Sequence, residues 1–334
     1  SVIGHLMSSV GTNILSGTGI MNITLPISIF DSRSLLDCLA HQLRQFELFM
    51  DEALKEKKTA NRIKLIMCLM LSKLHMSMTQ LKPFNPILGE TFQAKIGEKT
   101  TLYMEQTSHH PPIYNFLVLH PDVKCYGFEE PRASTSANSV SARSYGKWIF
   151  EFKDGAKYRC TTPSIFIEGT LFGERKFSIH GVNYVEDMEN DYVGIMELNP
   201  DDRGMIGKVF SKKQTFPDHF RAYVTRKTQC IYKADKKDGL FDYTPSSKHT
   251  RLIEITGNWG THFEIDEEIV WQRNESKYSE LRRLPYTPPS DCTLRTDLVA
   301  LRDHKPDESA KQKVVLEELQ RKDRKLRAQY SKKH

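Results

Sequence analysis

The spacing of hydrophobic positions changes three times along this chain. Residues 1–22 scatter Val2, Ile3, Leu6, Met7, Val10, Ile14, Leu15, Ile20 and Met21 among Gly, Ser, Thr and Asn, with almost no charge. That is too apolar for a disordered tail and too glycine-rich for an isolated helix. Ile23–Phe30 reads as a short extended segment broken by Pro26. Asp31 or Ser32 is then expected to cap a helix with Leu35, Leu36, Leu39, Leu43, Phe46 and Met50 on one stripe. From Thr59 to Gln80 the chain is apolar nearly all round, which predicts a central buried helix carrying the following segment inward.

From 91 to 272 the period shortens. Runs such as Leu102–Glu105, Ile113–His120, Lys147–Phe152, Ser164–Glu168, Tyr192–Leu198, Phe220–Thr225, Leu252–Thr256 and Glu268–Gln272 are separated by Gly, Pro, Asn and Asp. They predict a long antiparallel meander, as in a barrel or a sandwich, with Asp154-Gly155 as a hairpin turn. Helical spacing returns at Leu294–Arg302 and Ser309–Gln329, the latter highly charged with an apolar seam at Val315, Leu319 and Leu326.

Composition narrows the class. A chain of 334 residues, 39% hydrophobic and 27% charged, is globular and long enough for a sizeable core. Net charge is +6, and residues 305–334 hold ten Lys/Arg against five Asp/Glu, so the rest is near neutral. That argues against a nucleic-acid-binding body. A basic tail suits an anionic ligand, an anionic membrane surface or simply a solvated helix face. Six scattered cysteines without a CxxC pair form no zinc cluster or disulfide framework. The longest apolar run, Leu65 to Ser72, is far short of the roughly twenty residues that span a bilayer. The expectation is a cytosolic protein that visits membranes peripherally. The chain begins at Ser1, so a longer parent protein is allowed for.

Two stretches carry the candidate chemistry. Glu105-Gln106-Thr107-Ser108-His109-His110-Pro111-Pro112 sets two imidazoles before two prolines, which aim the pair. Adjacent residues in extended chain point to opposite sides, so both rings reach one ligand only across a turn or bulge. Lys82-Pro83-Phe84-Asn85-Pro86-Ile87-Leu88-Gly89-Glu90 holds a lysine and an asparagine in a rigid turn. A third group, Lys313, Glu317 and Arg321, recurs every four residues and shares one helix face. Taken singly, these are a satisfied turn, a helix-stop signal and a solvated face. Glu105 with the two histidines is also half of a metal site. Cys38 and Arg44 have the CX5R phosphatase spacing, but Leu39-Ala40-His41-Gln42-Leu43 lacks the glycines that curl amides around a phosphate.

Together the stretches resemble the oxysterol-binding-protein-related family, with its KPxNPxLGE turn followed by EQxSHHPP. Thr107 replaces the usual valine. Lys313–Arg321 resembles the family's KxxxEExQR segment, and Phe166-Ile167-Glu168-Gly169 and Ile255-Thr256-Gly257-Asn258-Trp259 add smaller agreements. The resemblance covers roughly residues 20–330. It implies one lipid-binding domain over 1–334, mainly β with flanking helices: a lid over 1–22 (Ile14, Leu15, Ile20, Met21), a helical part over 23–90, a large near-complete antiparallel barrel over 91–272 enclosing a lipid tunnel, and C-terminal helices over 273–334. It implies that Lys82, Asn85, His109, His110, Lys313, Glu317 and Arg321 hold the headgroup of phosphatidylinositol 4-phosphate. The expected function is lipid transfer between membranes, exchanging that lipid for a sterol or phosphatidylserine, by a monomer with no cofactor, no metal and no enzymatic activity. The alternatives are a lipid sensor that does not transport, or a metal-dependent hydrolase built on the histidine pair.

Overall fold

The computed structural model describes residues 27–77, 81–136, 138–169, 173–174, 176–200, 218–234 and 240–331. The expected lid residues Ile14, Leu15, Ile20 and Met21 lie outside them. Strand β1 (Phe30–Ser34) leads into helices α1 (Leu35–His41), α2 (Phe46–Lys55) and α3 (Thr59–Ser72), and then strand β2 (Lys82–Phe84) pairs parallel to β1.

Three local expectations need correcting. Asp31 and Ser32 sit in β1, and Ser34 takes the N-cap position of α1. The apolar stripe is divided between α1 and α2, with a break at Gln42–Gln45. Helix α3 stops at Ser72, short of Gln80, where the Ser72 hydroxyl bonds the Leu69 carbonyl at 3.1 Å and competes with the helical ladder. Within the Lys82–Glu90 turn, Phe84 and Glu90 are buried while Lys82 and Asn85 are exposed. The residue before a proline avoids the helical region, which suits Lys82 to the extended β2.

Among the described residues the main sheet is antiparallel and has fourteen strands. Strands β3 (Thr91–Ile96), β4 (Thr100–His109), β5 (Pro112–Leu119), β6 (Val123–Thr135), β7 (Ser139–Phe152) and β8 (Lys157–Cys160) follow one another as a meander. The β7–β8 turn is the expected Asp154-Gly155 hairpin, with Gly155 at φ +94°. Strand β9 (Ser164–Glu168) pairs with both β7 and β10 (Lys176–Asp187). The sheet continues through β11 (Val193–Leu198) and β12 (His219–Thr225). A separate hairpin, β13 (Cys230–Ala234) with β14 (Phe241–Pro245), is followed by β15 (Ile253–Asn258), which pairs with β12 and leads to β16 (His262–Ile265) and the edge strand β17 (Glu268–Gln272). The other edge is β18 (Leu281–Arg283), beside β3. The chain finishes with helices α4 (Thr296–Arg302) and α5 (Pro306–Ser331).

Alternation dictates the sheet's two faces. Along β4 and β5 alternate residues are buried, among them Leu102, Met104, Phe116 and Val118. These inward residues form one continuous core with the apolar faces of α1, α2 and α3. Helix α3 packs closely enough on β11 that a Cβ at Gly194 would stand 2.6 Å from Met67 Sδ and 2.7 Å from Ile63 Cγ2. The seam on α5 behaves differently. Val315, Leu319 and Leu326 are 49%, 50% and 63% exposed, so α5 is held by its opposite face.

Candidate functional site

The site lies where the Lys82–Glu90 turn, the β4–β5 hairpin and α5 meet. The turn is pinned from both sides. Gly89 at φ +80°, a backbone that favours glycine, donates its N–H to the Gln106 carbonyl at 2.8 Å, and Gln106 N–H donates to the Glu90 carbonyl at 2.9 Å. The buried Glu90 carboxylate accepts from Ile87 N–H at 3.0 Å, Arg295 Nη1 at 2.7 Å and the Ser34 hydroxyl. Burial pushes its pKa up, against the pull of Arg295 and the hydrogen bonds of Ser34 and Ile87. Arg295 also donates to the Asn85 carbonyl at 2.8 Å and grips Asp297 with Nε at 3.1 Å and Nη2 at 2.7 Å.

The hairpin solves the aiming problem of adjacent histidines. Pairing of β4 with β5 is irregular between Gln106 and Ser108, the bulge that alternation demands. Ser108 Oγ closes the turn on the Pro111 carbonyl at 2.7 Å, and His110–Pro111 is cis. The rings of His109 and His110 stand edge to face, 4.8 Å between centroids at 82°. His109 Nδ1 is buried without a hydrogen-bond partner. Burial holds the His109 pKa down, then His110 and Arg324; the nearby Pro86 carbonyl and Glu317 oppose them.

Helix α5 supplies the remaining wall. Gln320 Oε1 accepts from Leu88 N–H at 3.3 Å, docking the helix on the turn. Lys313 Nζ donates to Glu317 Oε1 at 2.6 Å. A cavity of about 160 Å³ is lined by Leu88, Thr107, Ser108, His109, His110, Gln320, Arg321, Arg324 and Arg327.

Of the seven sequence-predicted residues, His109, His110 and Arg321 thus line one cavity. Lys82, Lys313 and Glu317 form an adjoining group: Lys82 Nζ and Lys313 Nζ lie 5.2 and 5.4 Å from the centre of the Phe30 ring. Lys82 keeps solvent contact, yet the protein around its amine and the Lys313 ammonium hold its pKa down, with Glu317 opposing. Asn85 is exposed, and the structure ties it through its main-chain carbonyl. Sequence reasoning missed Gln320, Arg324, Arg327, Phe30 and Arg295. Arg324 and Arg327 follow Arg321 at three-residue steps, a spacing that was legible; Arg295 had no such signal.

The enzymatic alternatives find no support in the local chemistry. Glu105 is exposed on β4, and no group of three or more His, Cys, Asp or Glu among the described residues is placed to hold a metal ion. Cys38 lies inside α1, and burial pushes its thiol up to about 12, far from a nucleophilic thiolate.

Comparison with known proteins gives the family. The profile described as "Oxysterol-binding protein" matches residues 5–334. This chain belongs to the oxysterol-binding protein family. That is a family of lipid-binding proteins, not of enzymes. Oxysterol-binding protein 9 of Dictyostelium discoideum is 31% identical over 96% of the chain and 74% of the relative's length. Human oxysterol-binding protein-related protein 8 is 29% identical over 77% of the chain, which spans only 31% of that protein. Among solved structures, the Saccharomyces cerevisiae Osh3 ORD in complex with PI(4)P superposes with a TM-score of 0.73 at 20% identity, covering 96% of this chain and 84% of that one. The Osh1 ORD domain in complex with cholesterol gives 0.74 at 20% identity, covering 93% and 77%. The fold is therefore that of the Osh domains: mainly β, with a large antiparallel barrel sheet and few helices. Among the described residues, no helix is long and apolar enough to cross a membrane.

Proposed function

We propose that this chain is a lipid-transfer protein that binds phosphatidylinositol 4-phosphate with its headgroup in the cavity between the His109–His110 hairpin and α5. The acyl chains then lie in the barrel, sheltered from water, since each buried CH₂ contributes roughly 0.8 kcal/mol. The observation that carries the reading is the convergence of His109, His110 and Arg321 on one cavity, with Lys82 and Lys313 beside it. A phosphomonoester brings about −1.5 to −2 charge and three acceptor oxygens. Two imidazoles supply directed donors, Arg321 a planar fork, and the lysines point charges. Glu317, bonded to Lys313, holds that cation in place. Asn85 adds an amide donor from the pinned turn.

The second cargo is a sterol or phosphatidylserine, taken up in place of the phosphoinositide and carried to another membrane. Complexes of related ORD domains with PI(4)P, cholesterol and ergosterol support a shared lipid interior. The protein works as a monomer at anionic membrane surfaces, with residues 1–22 as a lid. The test is lipid extraction from vesicles, followed by transfer between two vesicle populations. The His109→Ala/His110→Ala protein should fold and fail to extract phosphatidylinositol 4-phosphate. Unchanged extraction by that folded variant would sink the headgroup assignment. Extraction without transfer by the parent protein would make it a sensor.

A further inference from the structure

Lys73 is a buried cation that the headgroup cavity does not use. It stands at the C-cap of α3, the helix that shares one core with the inner face of the sheet, and it is 5% exposed. Its Nζ lies 3.7 Å from the centre of the Trp148 ring. Among the described residues no hydrogen-bond acceptor meets its amine. Resting on the reading that the barrel shelters lipid, we propose that Lys73 is a covalent docking site for long-chain aldehydes, held as a protonated imine against Trp148 and Glu129.

Depth sets the orientation of such a ligand. Trp148 is level with Gly127 and Phe116 across the sheet, and Phe116 stands four residues into β5 from Pro112. At about 3.4 Å per residue, that is about 14 Å along the strands from the histidine hairpin. The surroundings are apolar, with the Phe116 and Trp148 rings packed at 4.3 Å between centres. An aldehyde that reaches Lys73 carbonyl first leaves its hydrocarbon tail along the barrel wall.

Bond counting favours the imine over the ammonium. Glu129 is 6% exposed and accepts from Trp148 Nε1 at 2.6 Å, Ser144 Oγ at 2.7 Å and the Tyr114 hydroxyl. An ionised carboxylate has about four lone-pair sites, so about one is left. An ammonium brings three N–H donors to this corner, and burying donors without acceptors is costly. A protonated imine keeps the positive charge and only one N–H. The charge suits the face of Trp148, and the flexible lysine stem lets the single donor swing to the remaining lone pair of Glu129.

The amine is also the right nucleophile. Burial lowers the Lys73 pKa, with Glu129 opposing, and so raises the share of neutral amine. The thiols of Cys125 and Cys160 stand nearby, but burial raises both, so neither competes as a thiolate. The step needs no oxidant or reductant. Counted from the ammonium, nitrogen bonds to the aldehyde carbon, the carbonyl oxygen leaves with two of the three protons as water, and the third stays on the C=N nitrogen. A water-poor interior disfavours the reverse hydrolysis.

The rival role for Lys73 is structural, a cation closing the negative end of α3. To separate the two, the full chain is mixed with all-trans-retinal, or with retinol as the unreactive counterpart. The retinal sample is then reduced with sodium borohydride and the modified residue is found by peptide mapping. The parent should show a red-shifted absorbance band before reduction and one adduct, on Lys73, after it. Retinal should also block extraction of phosphatidylinositol 4-phosphate, since both occupy the barrel. Lys73→Met should fold, because Glu129 keeps its three donors, and should bind retinol while losing band and adduct. Glu129→Gln should keep the adduct and deprotonate it at lower pH, its counter-ion being gone. Adducts confined to exposed lysines, or a Lys73→Met protein that reacts like the parent, overturn the proposal. If Lys73→Met does not fold, the position of the parent's adduct still decides. A parent that extracts phosphatidylinositol 4-phosphate and binds retinol, yet forms no adduct at Lys73, overturns the proposal and leaves the lipid reading standing. A parent that takes up none of these lipids overturns both.

Discussion

Two arginine clusters flank the Lys82–Glu90 turn, and they are opposites. On one side Arg295 is buried, with every bond directed at the protein: Glu90, Asp297 and the Asn85 carbonyl. On the other side Arg321 and Arg324 are exposed, lack acidic partners among the described residues, and face a cavity. The first cluster is saturated and so has nothing left to offer a ligand. The second keeps its donors available, at the cost of mutual repulsion. A cation's role is thus read from whether its hydrogen bonds are already spent, and less from its identity or its distance from the turn.

The largest expected effect tests the saturated side. Arg295→Met leaves the Glu90 and Asp297 carboxylates buried, each 0% exposed, without their partner. Removing one member of such a group costs about 3–5 kcal/mol. Denaturant unfolding should show that loss, and phosphoinositide binding should fall with it because the turn is no longer held. A loss below about 1 kcal/mol would mean that the network is not what fixes the turn.

Arg321→Ala should reverse the pattern. Stability should stay within about 0.5 kcal/mol of the parent. Phosphatidylinositol 4-phosphate binding should weaken by about 1.5–3 kcal/mol, as for other bonds to charged groups. A variant that loses stability and keeps binding would place Arg321 with the structural cluster.

A smaller effect probes the adjoining group. Lys82→Ala removes an amine that shares the Phe30 ring with Lys313, so the ligand-free protein should be no less stable. Binding should weaken, and the loss should be non-additive with Arg321→Ala by about 0.5–3 kcal/mol, because residues on one ligand group couple. Titration of both single variants and the double measures this directly. Strict additivity that vanishes in salt would assign both residues to membrane contact.

The contrast between the clusters also explains what the sequence did and did not disclose. The strand meander, the Asp154-Gly155 turn and α5 were legible because each follows a local period or a turn dipeptide. The histidine pair and the Lys313–Glu317–Arg321 face were legible because their residues are close in sequence. Arg295 was not, since its partners Glu90 and Asn85 lie some two hundred positions away and only folding brings them together. The same holds for the core. Lys73, at the C-cap of α3, is 5% exposed with Nζ 3.7 Å from the centre of the Trp148 ring. Nearby Glu129 accepts from Trp148 Nε1 at 2.6 Å, Ser144 Oγ at 2.7 Å and the Tyr114 hydroxyl. Helix ends also misled: apolar periodicity ran through Gln42–Gln45 and past Ser72, although α1 ends at His41 and α3 at Ser72, where the Ser72 hydroxyl competes for the Leu69 carbonyl.

The smallest and most diagnostic effect is in pH, and it is read at the histidine hairpin on the unsaturated side. Burial, His110 and Arg324 keep the His109 pKa below its usual value near 6.5. Without ligand, the unfolded chain therefore takes up a proton as pH falls through about 6.5 while the native protein resists, so stability declines toward acid. A bound phosphate dianion reverses the preference, because an adjacent anion favours the imidazolium. Binding then takes up a proton between the depressed free pKa and the raised bound one, and affinity rises as pH falls across that window, by at most about tenfold per pH unit. Below about 6 the phosphomonoester itself begins to protonate and the gain is lost. Phosphatidylinositol 4-phosphate affinity should thus pass through a shallow maximum on the acid side of neutrality. His109→Gln keeps a donor without the titration, so it should flatten both the affinity rise and the acid decline in ligand-free stability. Arg324→Gln should shift the rise to higher pH, since it removes a charge that holds the imidazole neutral. An unchanged profile in both variants would show that the histidine does not meet the phosphate, and that the contrast between saturated and unsaturated cations stops short of the hairpin.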